Sequence, residues 1–192
     1  MIQVYSQKIG DMWYAAAVEE ERIFATAFSP RERDVLRILL KLLPYNRSFT
    51  VMEKTDGFAA NVLEALKTVF DGEEPPCRFE LAFERLSGYA RKVLQCVSLV
   101  PVGYLTTYKA VFEVVGGGAR AVGRVMASNP FSLLVPCHRV AHSDFSLGGY
   151  GAGEETKLKL LLREDRGYEN PMELEVKGKK LALFPIKYLK TE

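Results

Sequence analysis

Histidine occurs only twice and cysteine three times in the 192 residues. No two cysteines form a CxxC pair, so a structural zinc site has little to be built from. Three cysteines cannot all pair with one another, which argues against a disulfide-built secreted scaffold. No apolar run approaches the ~18–20 residues that span a bilayer. The first residues (MIQVYSQKIGDMWY) hold no apolar signal core. Asparagine (four) and glutamine (three) are scarce, a weak hint of a heat-adapted source. There is no internal repeat or low-complexity tract. Together these absences predict a soluble protein of the cytoplasm (or of the nucleus, if eukaryotic) with at least one free thiol, no bound metal and no membrane partner.

What is present is ordinary: 48% hydrophobic, 26% charged, 15 Gly and 9 Pro. This composition excludes collagen, a coiled coil and a disordered chain. The length suits one large domain or two small ones. The net charge of +2 is unevenly spread. Residues 1–82 carry 10 basic and 13 acidic side chains, a net of −3. Residues 83–166 carry 11 and 7, a net of +4. A basic middle is compatible with nucleic acid, although a surplus of this size is common on any surface.

Alternation and turn residues predict strands over 2–6 and 12–18, a polar turn at Glu19, Glu20 and Glu21, and a returning strand over 22–28. Ser29 and Pro30 read as N-cap and first-turn proline of a helix over 30–43. A strand over 48–53 and an amphipathic helix over 57–70 follow, then a linker, DGEEPP, over 71–76. The expected architecture is α+β, with a small N-terminal α/β domain (1–78) that carries no evident chemistry. A mainly helical domain (79–167) and an extension (168–192), read as a hairpin turning at Gly178, complete it. Helices are expected over 87–98, 108–115, 119–128 and 154–164. Residues 105–107 start the second of these, capped by Thr106 or Thr107, and Leu158, Leu161 and Leu162 face inward on the last. Gly116, Gly117 and Gly118 separate two short helices in the manner of a helix–turn–helix. Arg120 and Arg124 share one face there with Ala119 and Ala121. Small side chains permit close approach to DNA, and arginine meets phosphates or base edges. A plain helical hairpin with solvated arginines fits this segment equally well.

Residues 129–153 (NPFSLLVPCHRVAHSDFSLGGYGAG) are the informative stretch. A reactive cysteine needs a base or positive neighbours, because the thiolate is the nucleophile. Both histidines, His138 and His142, lie within five residues of Cys137, and Arg139 is two away. Pro136 fixes the chain just before it. A buried structural cysteine beside surface histidines is the plain alternative. Cys77 and Cys96 have no such company. Local sequence does not identify the carboxylate that orients a histidine here; Glu154, Glu155, Glu164 and Asp165 all qualify.

The run RAVGRVMASNPFSLLVPCHRV (120–140), followed by GGYGAG and K-x6-E, closely resembles the O6-alkylguanine-DNA alkyltransferase family. The resemblance covers about 86–167. The part before it is similar to the family's first domain, ribonuclease-H-like, only in position and general type, and the tail lies outside it. The resemblance implies a DNA repair protein that flips O6-alkylguanine out of duplex DNA, entered from the minor groove, and moves the alkyl group irreversibly to Cys137. Each molecule would act once, as a monomer, without a cofactor. It implies roles residue by residue. Cys137 would be the acceptor, His138 the base acting through water, and Glu164 the carboxylate that orients His138. Asn129 would be the hinge between recognition helix and active-site loop. Tyr108 would contact N3 of the base, and the backbone of Cys137, Val140, Tyr150 and Gly151 would line the guanine pocket. Arg120 would fill the gap left by the flipped nucleotide, with Arg124, Ala119, Ala121, Thr107 and Arg139 also on the DNA side. The sequence departs from the family at Gly151, where a small side chain is common, and at Arg124, where a small residue is common. A non-catalytic binder of alkylated DNA is the alternative; proteins of that kind lack the acceptor thiol that Cys137 supplies.

Overall fold

The computed structural model describes residues 1–55 and 57–190. The chain divides into two compact units. Met1–Phe70, Pro75–Arg85 and Pro130–Leu134 form the first; Asp71–Glu74, Leu86–Asn129 and Val135–Glu192 form the second.

In the first unit three antiparallel strands, β1 (Ile2–Ile9), β2 (Met12–Glu19) and β3 (Arg22–Ser29), are followed by helix α1 (Glu32–Leu42), β4 (Phe49–Val51), helix α2 (Gly57–Phe70) and a short β5 (Glu80–Leu81). The sheet order is β4-β1-β2-β3-β5, with β4 parallel to β1. Glu20 and Glu21 both take positive φ (50° and 57°), so the acidic turn is a tight two-residue hairpin. Strand β2 is buried continuously from Tyr14 to Val18, not in alternation. The cause is a helix on each face. Ala15, Ala17, Ala25 and Ala27 pack with Val35 and Leu39 of α1. On the other side Tyr14 and Phe28 meet Phe70 of α2, at 6.0 and 5.5 Å between ring centres. A sheet covered on both faces selects small or apolar residues at every position. Helix α1 starts two residues later than expected. Arg31 is its N-cap without a side-chain bond, while the Ser29 hydroxyl only accepts the Arg31 amide at 3.4 Å.

The second unit contains helices α3 (Gly88–Val97), α4 (Tyr108–Val115), α5 (Ala119–Ala127) and α6 (Glu154–Glu164). It also holds a sheet that the helical expectation missed: β6 (Tyr104–Thr107), β7 (Val140–Ala141), β8 (Met172–Val176) and β9 (Lys179–Pro185), in the order β7-β6-β9-β8. Ser87 caps α3 by accepting the Ala90 amide, and Thr107 caps α4 by accepting the Ala110 amide. The stretch 105–107 is therefore strand rather than helix start, and its last residue serves both elements. Gly116 and Gly117 turn at positive φ between α4 and α5. A Cβ on Gly117 would stand 2.6 Å from the Tyr89 hydroxyl, so this turn of the backbone lies against α3. On α6 the buried face is Lys157, Leu160, Leu161 and Glu164, whereas Leu162 is exposed. The reading that turned Leu162 inward is thus corrected. Two charged residues occupy the inner stripe, so the apolar residues alone gave the wrong face.

The C-terminal strands β8 and β9 form the hairpin, with Leu174 opposite Leu181 and the turn at Lys177 and Gly178. Strand β9 then pairs antiparallel with β6.

Candidate active site

Cys137, His138 and Arg139 form one turn of 3-10 helix directly after Pro136. The Arg139 amide donates to the Pro136 carbonyl at 2.9 Å, and the Val140 amide to the Cys137 carbonyl. All three side chains are buried. Helix α6 supplies the other half of the site. Lys157 and Glu164 stand seven residues, two turns, apart on one helical face.

Glu164 accepts three hydrogen bonds. His138 Nε2 lies 2.7 Å from Oε1, Arg139 Nη2 donates to Oε1 at 2.9 Å, and Arg139 Nε donates to Oε2 at 2.8 Å. Arg139 Nη1 donates to the Val100 carbonyl at 2.5 Å. Burial pushes the Glu164 carboxyl upward, but His138 and Arg139 outweigh it and hold the group below the ordinary carboxylate range. Burial pushes His138 downward and prevails over the pull of Glu164. The imidazole is therefore neutral at neutral pH. With Nε2–H assigned as donor to the carboxylate, Nδ1 is the bare acceptor. It is buried and has no protein hydrogen-bond partner.

The Cys137 thiol is pushed up by burial; a hydrogen bond from Asn129 and the charge of Lys157 oppose that shift without cancelling it. A raised thiol needs a base to ionise at neutral pH. Asn129, at the end of α5, also donates from its amide to the Val135 carbonyl at 3.1 Å. It ties the helix end to the strand of chain that leads into the 3-10 turn. Lys157 is fully buried. Its ammonium donates to the Val140 carbonyl at 2.7 Å and to the Leu147 carbonyl. Burial lowers its pKa to about 8, against the pull of Cys137.

Tyr108 opens α4 and is nearly buried. Burial, then the neighbouring Cys137, raises its phenol. The Tyr150 ring meets His138 edge-on at 6.4 Å between centres. Its hydroxyl is buried without a protein partner, and burial, Cys137 and Glu164 push its pKa well up. Gly151 has open space where a Cβ would stand.

On α5, Ala119, Arg120 and Arg124 are exposed and Ala121 is half-buried, opposite buried Val122, Val125 and Met126. Two residues expected on the DNA side stand elsewhere. Arg139 is 3% exposed, and its guanidinium is engaged by Glu164 and the Val100 carbonyl, so it has no path to a phosphate. Thr107 is buried as the cap of α4. Lys157 is the site residue that sequence reasoning passed over. Its signal was the seven-residue spacing to Glu164, which puts both on one stripe. Among the described residues no group of three or more His, Cys, Asp or Glu is arranged to hold a metal ion.

Residues 88–166 match the family model described as the 6-O-methylguanine DNA methyltransferase, DNA binding domain. A methylated-DNA–protein-cysteine methyltransferase of Metallosphaera sedula is 38% identical over 117 residues, which cover 60% of this chain and 67% of that protein. The chain belongs to the O6-methylguanine-DNA methyltransferase family. A family relative of the same name from Pyrobaculum aerophilum is 57% identical over 65 residues. That stretch is 34% of this chain and spans less than half, 44%, of the relative's length. The crystal structure of the O6-methylguanine-DNA methyltransferase from Pyrococcus kodakaraensis superposes with a TM-score of 0.69 at 27% identity, covering 85% of this chain and 99% of that one. Cys137, His138, Asn129, Tyr108 and Glu164 all lie within the 88–166 segment that carries the family match.

Proposed function

We propose that this member of the family repairs O6-alkylguanine in duplex DNA by transferring the alkyl group to Cys137 once and irreversibly. The observation that carries the reading is the buried ion pair of Glu164 with Arg139 and its 2.7 Å bond to His138, one residue from the thiol. That arrangement fixes a neutral imidazole with Nδ1 free to accept a proton. His138 takes the thiol proton through a water, and Lys157, whose charge already opposes the thiol's upward shift, stabilises the thiolate. The thiolate sulfur attacks the alkyl carbon. The S–C bond forms as the C–O6 bond breaks, and guanine leaves with its electron pair, neutralised by a proton. The product thioether resists hydrolysis, so no second turnover follows and no cofactor is required.

Tyr108 contacts N3 of the flipped base. The carbonyls of Cys137 and Val140 read its exocyclic amine with the lone pairs left over from the Val140 amide and Lys157. The backbone at Tyr150 and Gly151 lines the pocket beside O6. Helix α4, its glycine turn and α5 act as a helix–turn–helix. Arg120 enters the minor groove and Arg124 meets phosphate, with binding weakly dependent on sequence and steeply dependent on salt. In the first unit, the neighbours β3-β2-β1-β4 with β4 parallel to β1 support a ribonuclease-H-like reading. The functional division stays at 1–78, 79–167 and 168–192, and the protein works as a monomer. The free acceptor thiol favours this reading over a non-catalytic binder of alkylated DNA.

Mass spectrometry after exposure to duplex DNA containing O6-methylguanine tests it. A gain of one methylene on the Cys137 peptide, one per protein, is expected. Cys137→Ser abolishes the transfer and leaves duplex binding intact. Label on the Cys137→Ser protein, or on a different peptide, overturns the assignment.

A further inference from the structure

The C-terminal extension ends on the loop that follows the reactive cysteine. Strand β9 lays Tyr104 and Leu105 of β6 opposite its own Pro185 and Phe184. The Thr106 hydroxyl donates to the Ala182 carbonyl at 2.8 Å. Beyond β9 the Lys190 amide donates to the Phe145 carbonyl at 2.9 Å. The Phe145 ring packs against both Phe184 and Tyr188, at 4.9 and 5.5 Å between ring centres, and those two rings are 5.9 Å apart. Phe145 takes a positive φ of 66°, a conformation that a bulky residue keeps only when its surroundings hold it. The extension supplies those surroundings.

Phe145 lies inside a closed turn. Its amide donates to the His142 carbonyl at 3.0 Å, and the His142 amide donates to the Ser146 carbonyl at 3.0 Å. The turn thereby aims the His142 ring, which rests 5.3 Å from the ring of Tyr108. Gly148 closes the third side. A Cβ there would stand 3.0 Å from His142 Nε2 and 3.2 Å from Tyr108 Cε2, and φ is +69°. Tyr108 is thus held from one side by β6 and α4, and from the other by His142 at the tip of a turn clasped by the tail.

We infer that His142 is a positioning residue for Tyr108, and that the tail's clasp on Phe145 by Phe184, Tyr188 and Lys190 keeps His142 in place, so that the extension shapes the alkylguanine pocket. The inference deepens the proposed function and rests on it. His142 makes its ring contact with Tyr108. It acts on how the base is held and leaves sulfur reactivity alone.

The test uses the full chain and O6-benzylguanine as free base, with inactivation resolved into KI and kinact well below each variant's Tm. Iodoacetamide alkylation of Cys137 reports the thiol separately. His142→Ala and Tyr188→Ala each raise KI by about tenfold, since a small misplacement of a positioning group is costly. Both leave the iodoacetamide rate within about twofold of wild type. His142→Phe, which keeps a ring against Tyr108, restores KI. A KI unchanged in both alanine variants overturns the inference. So does a parallel fall in the iodoacetamide rate, or a phenylalanine variant as poor as the alanine. If the wild-type protein takes an alkyl group neither from this base nor from O6-methylguanine duplex, the proposed function fails, and the inference falls with it.

Discussion

Glu164→Gln keeps shape and removes one buried charge. It leaves Arg139, which is 3% exposed, with the Val100 carbonyl and the glutamine oxygen as close acceptors but with no counter-charge nearer than Glu74 at 3.9 Å. Breaking a buried ion pair from one side costs about 3–5 kcal/mol. At roughly 2–4 °C per kcal/mol for a chain of this size, Tm falls by about 6–20 °C. The chemical loss is separate. A glutamine amide donates to His138 Nε2 as readily as its oxygen accepts, so the imidazole is no longer held as the tautomer with a bare Nδ1. General-base assistance contributes about 10²–10⁴ in rate, and the single-turnover rate with O6-methylguanine duplex falls by that order at neutral pH. The two effects are separated by measuring the rate well below the variant's Tm. They also differ in pH dependence. Burial holds the Cys137 thiol above its ordinary value, near 8.5, so unassisted ionisation becomes useful only in the alkaline range. The deficit of Glu164→Gln therefore narrows as pH rises beyond that value. A variant within about threefold of wild type at neutral pH refutes the relay, because so small a loss is below what a general base supplies. A deficit constant from neutral to alkaline pH refutes it as well.

Arg120→Ala slows repair in duplex DNA far more than reaction with free O6-benzylguanine; equal losses on both substrates remove the role in nucleotide flipping. Duplex binding weakens steeply with salt, and Arg124→Ala lowers that slope by about one unit without altering sequence preference; an unchanged slope takes Arg124 off the phosphate. Acid destabilises the fold in two stages. The folded pKa of His138 is depressed, so its contribution is present above the unfolded value of about 6.5 and is lost as pH falls below it. Glu164 is likewise depressed and adds its loss below about 4.3. Calorimetry between neutral pH and pH about 4 reads the His138 stage, with the Glu164 stage following at lower pH, and a Tm that holds or rises on acidification contradicts the burial of a neutral imidazole.

The parts of the fold legible in the sequence are those written in local signals. The acidic turn at Glu20 and Glu21, the helix over 57–70, the glycine break at Gly116 and Gly117, and the tail hairpin each depend on neighbours in the chain. What stayed hidden depends on partners far away. Strand β6 exists because β7 and β9 come to it from 34 or more residues later in sequence, whereas by itself the run of Leu105, Thr106 and Thr107 resembles a helix cap. The inner face of α6 was misread because its stripe carries Lys157 and Glu164. Apolar periodicity registers only Leu160 and Leu161 there, and charges are assigned to water by default. Arg139, expected on the DNA side, is likewise inside. A buried charge is stable only beside its counter-charge, and the two partners, Glu164 and Arg139, stand 25 residues apart in sequence. The seven-residue spacing bears on the face of α6. Lys157 and Glu164 fall on one helical face, so a helix that turns one of them toward the cysteine turns both. Glu164, turned inward beside a neutral histidine, needs a counter-charge, and Arg139 supplies it. A charged pair at helical spacing within reach of a nucleophile is thus read as interior before it is read as surface.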